Sequence, residues 1–581
     1  MKKFIVRLAR GFVLTLLLFG FAHAFLYLPL MLPMRDNVNL ATDFYLPNGW
    51  SGQRLPTLLI RTPYDRTLLV TIGAWADDGY VVVIQDMRGR FASEGVDPVF
   101  QSDGWGELQD GFDTMSWVRT MVCSNGNVVT WGASALGIVQ YLLAGAAPPG
   151  LGGQIIVAAT PDLYEHAFYP GGVFRKEDIE SWLEAQGSSF RLPEIRAHRT
   201  KDSYWEGVNL DNRVDVLGPP AYHLGGWFDL FSQGTIDAFM LYREAGALHQ
   251  YLVMGPWSHG YIYFNVQNEM TFPENAKQYW GQFQEDPSFT FMKRALHGTL
   301  GGFDRPAVTY YVMCDVDAYP DAPGCEWRTA DNWPPASNEV KLYLTPEMSL
   351  YVDKPSTVDL TYTYDPKDPT PTECGNFLVL PAGPCDLRDY YDDRSDMLYF
   401  ETPVLPQPVE VTGRIYLDLK VKSDREDTDF AAFMVDVYPD GRKMLISHGI
   451  MRARFRQGFN VEVPLVPNEP AQLAVDLWTT SIIFNTGHKI GLFVSSSNYP
   501  GFDKNPNKAI DAPPAGPPLV ATNSIVTGEN SDLRLPVVGD FPWHPSEDDD
   551  TDDDTSDDDT SDDDTGNEGG GGEGCGCNFG L

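Results

Sequence analysis

Three side chains occupy local settings suited to acyl transfer. Ser134 stands in Thr130-Trp131-Gly132-Ala133-Ser134-Ala135-Leu136-Gly137, Asp229 closes Gly225-Gly226-Trp227-Phe228-Asp229, and His259 follows Gly255-Pro256-Trp257-Ser258. A serine hydroxyl becomes an effective nucleophile when an imidazole takes its proton and a carboxylate fixes the imidazole tautomer. Such a serine needs a tight strand-to-helix turn, which the small residues Gly132, Ala133, Ala135 and Gly137 permit, although the last glycine falls one position later than in Gly-x-Ser-x-Gly. Taken singly, each residue has a plainer reading: a structural turn, a helix cap, a core or surface histidine. Their order Ser…Asp…His and their positions at strand ends favour the catalytic reading. His223 is the competing histidine, but it lies inside an expected strand and reads as packed.

A tetrahedral oxyanion needs two donors. The backbone N–H of Ala135 qualifies by position. Tyr64, in Arg61-Thr62-Pro63-Tyr64-Asp65-Arg66, could offer its hydroxyl as the second, though from these residues alone an ordinary loop tyrosine is the favoured reading.

The elements around these residues predict a layered fold. Leu58–Arg61, the β-branched run Tyr80–Gln85 and Asn127–Trp131 read as strands. Asp110–Arg119 and Leu136–Ala146 have helical spacing, so repeated βα units imply a mainly parallel sheet covered by helices on both faces. Residues 160–218, rich in Tyr, Trp, Glu and Arg and including a helical stretch at Lys176–Ala185, form a candidate cap. Tyr222–Trp227 and Gln250–Gly255 return as strands, each leading to a proposed catalytic residue, and ligands of open α/β sheets sit at strand carboxyl ends. Beyond Trp333 come short alternating runs such as Val340–Leu344, Ile415–Val421, Phe430–Val437 and Lys489–Ser495, the pattern of a β-sandwich or jelly roll.

The 581 residues carry 80 acidic against 42 basic side chains. Fifteen of the acidic ones fall in residues 546–581, which hold no Lys or Arg; four Asp triplets between Asp548 and Asp564 must stay solvated. An acidic chain without a basic cluster argues against a nucleic-acid partner. The N-terminus reads as an export signal: Lys2, Lys3, Arg7 and Arg10 precede the apolar run Gly11–Gly20 and a cleavage site at Ala22-His23-Ala24, giving a signal peptide over 1–24. An uncleaved anchor is the alternative, because apolar residues continue through Phe25–Met34. After cleavage, Leu28–Met34 could serve as a strand confined to a sheet edge by Pro29 and Pro33. Cys314/Cys325 and Cys374/Cys385, each eleven apart, suit two local disulfides in an oxidising compartment, with connectivity left open; Cys123 reads as buried and unpaired. No cysteine pattern completes a metal site.

The chain resembles the CocE/NonD-type hydrolases, the family of cocaine esterase, X-Pro dipeptidyl-peptidases and α-amino-acid ester hydrolases. The resemblance runs from Pro33-Met34-Arg35-Asp36 to about Phe541. It rests on Arg61-Thr62-Pro63-Tyr64, the stretch Gln85-Asp86-Met87-Arg88-Gly89-Arg90-Phe91-Ala92-Ser93-Glu94-Gly95, Asp110-Gly111-Phe112-Asp113-Thr114 and the three catalytic settings. It continues through Tyr364-Asp365-Pro366, Glu410-Val411-Thr412-Gly413, Asp427-Thr428-Asp429-Phe430 and Asn505-Pro506-Asn507. It implies an α/β-hydrolase core over 25–159 and 219–332, a helical cap over 160–218 and a C-terminal jelly roll over 333–545. It also implies Ser134, Asp229 and His259 as a triad, Tyr64 as oxyanion donor, and no metal or organic cofactor. Arg88 and Asp86 are expected to buttress the sheet edge by ion pairing.

Two departures bear on substrate. Ala135 stands where the family usually has Tyr, which keeps the N–H but enlarges the pocket. Leu230-Phe231-Ser232 follow the acid, where related amino-ester hydrolases carry carboxylates that hold a substrate ammonium. Phe231 instead resembles the aromatic lining of an acyl pocket, with Trp227 and Trp257 expected to flank the substrate. The expectation is an exported serine hydrolase acting on small ester, less often amide, substrates with apolar acyl groups. An X-Pro dipeptidyl-peptidase or other acylaminohydrolase, and a catalytically degenerate surface-binding protein, are the alternatives. The tail ending Gly574-Cys575-Gly576-Cys577 resembles the spacer and cysteine of some bacterial surface proteins, so attachment to the cell envelope is a further expectation.

Overall fold

The computed structural model describes residues 26–277, 285–508 and 517–543. The expected signal over 1–24 and the acidic tail with Cys575 and Cys577 lie outside the described residues. Ten strands make the main sheet: β1 (Leu26–Pro33), β2 (Asn39–Leu46), β3 (Leu55–Thr62), β4 (Val81–Asp86), β5 (Ser124–Ala133), β6 (Leu151–Val157), β7 (Ala221–Phe228), β8 (Gln250–Ser258), β9 (Val308–Val312) and β10 (Glu326–Ala330). Their spatial order is β1-β2-β4-β3-β5-β6-β7-β8-β9-β10. Strands β3 to β9 run parallel, and antiparallel strands close both ends. β1 occupies an edge, where the missing N–H groups of Pro29 and Pro33 cost little.

The branched run in β4 shows why this sheet is buried on both sides. Val82 and Ile84 join one core with Phe291 and Met292 of a helix over Pro287–Leu296. Val81 and Val83 point the other way, into a core with Met115 and Val118 of α1 (Asp110–Thr120). α2 (Ala135–Gly145), buried along its whole length, packs on β5 and β6. Burial on both faces requires apolar residues at successive positions, hence the unbroken run.

Between β6 and β7 the chain forms the cap, a set of short helical turns and α3 (Lys176–Gln186). Tyr164, Phe168, Tyr169, Phe174 and Trp205 form its aromatic core. The C-terminal part is two antiparallel sheets of seven and four strands. Alternating residues Leu417, Leu419 and Val421 of one meet Phe430, Ala432 and Met434 of the other. That core runs on into the main sheet through Trp227 and Tyr311, and the cap is tied to the sandwich by Arg196–Asp503 (2.6 Å) and Arg199–Glu462 (2.9 Å). Both disulfides join the neighbours in sequence, Cys314–Cys325 and Cys374–Cys385, and Cys123 is free and buried. Among the described residues no helix is long and apolar enough to cross a membrane.

Candidate active site

Ser134 sits between β5 and α2 with φ 58° and ψ −127°. A side chain in this left-handed region costs about 1–3 kcal/mol and survives only where the surroundings impose it. Here β5 and α2 cross too closely for any relaxed turn. A Cβ at Gly132 would lie 2.4 Å from Leu136 Cβ, and one at Gly137 would lie 2.6 Å from Ala159 Cβ. The displaced glycine of the sequence motif is therefore required by the packing of α2 on the end of β6, not by the turn itself. The turn leaves Ser134 Oγ at the helix N-terminus, where the first N–H groups have no intrahelical partner. The N–H of Ala135 is thus available to an anion beside Oγ.

His259 follows β8 and Asp229 follows β7. His259 Nε2 lies 2.9 Å from Ser134 Oγ, and its Nδ1 lies 2.7 Å from Asp229 Oδ2. Asp229 is fully buried, and its second oxygen accepts the Phe231 N–H at 2.6 Å. Both carboxylate oxygens are therefore engaged, which holds the ring with Nδ1–H toward the acid and Nε2 toward the serine. Phe231 packs edge-on to the imidazole with centroids 5.6 Å apart. His223, the rejected candidate, is enclosed between Tyr141 (2.8 Å) and Gln250 (3.1 Å), and burial pulls its pKa down to about 4.

Tyr64 reaches the same point from the end of β3. The Trp182 indole donates to its phenol oxygen at 3.0 Å, and the Ser134 side chain is near enough to act on its pKa. Loss of solvent raises the Tyr64 pKa, against the opposing effect of Trp182 and Ser134, so the phenol keeps its proton. With its oxygen occupied by an indole donor, the O–H can turn toward a neighbouring anion. Trp182, on α3 of the cap, was not reached by sequence reasoning; the signal was its place on the same helix face as the buried Asp178 and Ile179. Arg90 secures this corner by donating to Pro63 O (3.1 Å) beside Tyr64 and to Gln186 Oε1 (2.7 Å) at the end of α3.

A second residue missed in the sequence is Asn376, in the sandwich loop closed by Cys374–Cys385. Its Nδ2 donates to Trp227 O (2.9 Å), Asp229 O (3.0 Å) and Ser232 Oγ (3.3 Å), so the C-terminal part braces the acid loop. Nothing local in the sequence marks it. On the histidine side, Gln267 accepts from Ser258 N (2.8 Å) and donates to Tyr261 O and Phe264 O, fixing the loop after β8.

The structure corrects two expected substrate contacts. Trp227 points away from Ser134 into the core with Tyr310, Tyr311 and Trp333, its indole donating to Tyr311 O at 2.8 Å. Trp257 lies in another core against Tyr263 and Trp327, donating to Ala276 O at 3.0 Å. The two tryptophans enter different cores, Trp227 at the point where the pairing of β7 with β8 slips between Gly226 and Phe228. Arg88 pairs with Asp36 and Asp110, each at 2.7 Å, and Asp86 with Arg66 at 2.7 Å, which makes them buttresses of the sheet edge.

Comparison with known proteins places the chain in a family. The model of the X-Pro dipeptidyl-peptidase (S15 family) matches residues 36–192 and 184–261. That of the X-Pro dipeptidyl-peptidase C-terminal non-catalytic domain matches 302–535. Cocaine esterase of Rhodococcus sp. (strain MB1 Bresler) is 32% identical over 561 residues, covering 82% of this chain and 92% of that protein. The chain belongs to the CocE/NonD family of serine hydrolases. Among solved structures, an aminopeptidase from a marine sediment archaeon, Thaumarchaeota archaeon, is similar with TM-score 0.73 and 23% identity, covering 90% of this chain and 98% of that one. An α-amino acid ester hydrolase is similar with TM-score 0.72 and 24% identity, over 90% and 98% of the two chains. At these identities the solved structures show the shared fold: an α/β-hydrolase core followed by a β domain. The CocE/NonD protein described here is accordingly a serine-type hydrolase of the ester hydrolase and S15 peptidase class.

Proposed function

We propose that this protein is an exported carboxylesterase-type hydrolase that forms an acyl-enzyme on Ser134 and favours apolar acyl groups. The observation that carries the reading is the unbroken relay from Ser134 Oγ to His259 (2.9 Å) to Asp229 (2.7 Å). His259 Nε2 takes the hydroxyl proton as Oγ attacks the substrate carbonyl. Asp229, excluded from water, stabilises the imidazolium without itself taking the proton. Negative charge on the carbonyl oxygen falls to the Ala135 N–H and the Tyr64 O–H. His259 then protonates the leaving alkoxide or amine, and water repeats the sequence to release the acid.

The preference for apolar acyl groups is supported by the aromatic surroundings of the serine, Phe231 beside His259 and Trp182 beside Tyr64, and by the methyl of Ala135 in place of a ring. No carboxylate follows Asp229 to hold a substrate ammonium, since Leu230 and Phe231 are buried apolar residues.

Ser134→Ala should abolish both turnover and fluorophosphonate labelling while the circular dichroism spectrum is unchanged. A panel of p-nitrophenyl esters against aminoacyl and X-Pro anilides tests the substrate class. Faster turnover of Gly-Pro anilide than of any ester would replace this reading with that of a dipeptidyl-peptidase. Failure of Ser134 to react with the probe would favour a surface-binding role. Export is tested by the mature N-terminus, expected immediately after Ala24, and envelope attachment through the tail by cell fractionation.

A further inference from the structure

A cavity of about 230 Å³ lies between the cap and the sandwich, and none of Ser134, Tyr64, Asp229 or His259 lines it. Its walls come from the cap segment around Glu165–Arg175, from the strands Val409–Ser423, Lys443–Arg452 and Ala471–Phe484, and from the loop at Phe502.

The charges around this space nearly all cancel. Glu165 pairs with Lys201 (2.6 Å), and Asp476 pairs with Arg414. His166 and Arg414 share Asp237, at 3.3 and 3.5 Å. The exception is Arg175, which is 1% exposed. Among the described residues no carboxylate lies within ion-pair distance of it. Its Nη1 donates to Leu230 O at 3.0 Å, and its Nε has no partner. Asp178, one turn along α3, and Asp229 act on it only through their charge, without ion-pair contact: Asp178 Oδ1 accepts the Leu378 and Val379 N–H groups, each at 3.0 Å.

His448 supplies a second lone donor. Its Nε2 accepts the Asn376 N–H at 3.2 Å, so in the neutral ring the proton sits on Nδ1, and buried Nδ1 has no partner. Burial and the nearby Arg175 pull the His448 pKa down to about 3, which keeps the ring neutral. Two donors without an acceptor among the described residues, one of them cationic, thus border a single cavity. Each such group carries a desolvation cost that a bound acceptor would remove.

The remaining walls are apolar and shaped. Trp478 and Phe502 lie against the guanidinium, with ring centroids 5.4 and 5.7 Å away. Trp478 holds φ 64°, at the point where pairing with Val409–Ser423 slips between Ile415 and Tyr416. A strained backbone at a bulge is a device that re-aims a side chain, here toward Arg175. Met451 and Phe459 complete the apolar lining.

We propose that this cavity binds a small organic carboxylate, its anionic end on Arg175 and His448 and its apolar body against Trp478, Phe502 and Met451. The site communicates with the acid loop, because Arg175 holds Leu230 O and Asn376 bonds both His448, through its backbone, and Asp229 O, through its side chain.

The test is thermal unfolding and calorimetric titration of the full chain with benzoate. Benzamide serves as the neutral isostere, and inorganic phosphate and chloride as plain anions. Neither measurement needs turnover, so the outcome is independent of the roles proposed for Ser134 and His259. Benzoate is expected to give a saturable rise in Tm that benzamide and the inorganic ions do not. Arg175→Gln should weaken benzoate by roughly tenfold or more, the scale of a lost charge-assisted hydrogen bond. Ala474→Trp fills the cavity while leaving Arg175 in place, and should abolish the effect even if Arg175→Gln does not fold. The proposal is overturned by no saturable shift, by an equal shift with benzamide or inorganic anion, or by benzoate binding that survives Ala474→Trp.

Discussion

Substitution of Trp182 by phenylalanine probes the oxyanion site most sharply, because the indole N–H reaches the reacting atoms only through Tyr64. The structure puts Trp182 Nε1 3.0 Å from the Tyr64 oxygen and its ring flat on Phe100, with centroids 5.6 Å apart and planes 13° apart. Phenylalanine keeps much of that stacking and loses only the N–H. Losing the Tyr64 hydroxyl itself, in Tyr64→Phe, removes one of two donors and should lower kcat by about 10²–10³, or about 2.7–4 kcal/mol. Losing the indole N–H removes one neutral hydrogen bond, about 0.5–1.5 kcal/mol, so Trp182→Phe should lower kcat by about 2- to 13-fold. In the Tyr64→Phe background the indole has no hydroxyl to orient, and the same substitution should leave kcat unchanged. The coupling energy of the double-mutant cycle should therefore equal nearly the whole effect of Trp182→Phe. The assay is kcat for a p-nitrophenyl ester at saturating substrate, with KM followed separately to register any change in pocket shape. Equal kcat losses with and without the Tyr64 hydroxyl would refute the positioning role and leave Trp182 as pocket wall alone.

Other consequences are open to direct measurement. Asn376→Ala strips three hydrogen bonds from the acid loop and leaves the carbonyls of Trp227 and Asp229 buried without that donor; it should destabilise the fold by about 1–3 kcal/mol in urea titrations and reduce kcat, whereas an unaltered kcat would remove Asn376 from the catalytic support. Gly137→Ala puts a methyl 2.6 Å from Ala159 Cβ, so α2 must shift and carry Ser134 with it; fluorophosphonate labelling should slow despite the better helix propensity of alanine. Burial pulls the pKa values of His223 and His448 down to about 4 and about 3. In the unfolded chain both return to about 6.5, so below that pH each takes up a proton on unfolding and contributes a loss of stability as pH drops, by up to about 1.4 kcal/mol per unit near pH 5. His166 and His488, whose carboxylate partners outweigh burial and raise both pKa values, act in the opposite sense above about pH 6, and the carboxyls of Asp103, Asp427 and Asp532, raised by burial to about 6, oppose it around and below that pH. Urea titrations at pH 7, 6 and 5 of the protein and of His223→Gln isolate one histidine: relative to the variant, the protein should lose up to about 1.4 kcal/mol per unit near pH 5, and a constant difference would refute the assignment.

The sequence by itself determined the chemistry and the layering. Ser134, Asp229 and His259 were legible because each follows a strand whose apolar run and terminal glycines are local signals, and a parallel sheet brings its carboxyl ends to one rim. The valine run of β4, the prolines of β1 and the alternation in Ile415–Val421 likewise carry their burial pattern in their own residues. The direction of side chains around the rim was decided only by the tertiary structure. Trp227 and Trp257 neighbour the catalytic residues along the chain, yet each is buried in a core of its own. Trp182, Asn376 and Arg175 come from the cap and the sandwich, 48, 242 and 41 residues beyond Ser134, and meet the site or its supports only when three layers pack together. Their roles rest on hydrogen bonds and charges across those layers, and no local periodicity encodes such contacts.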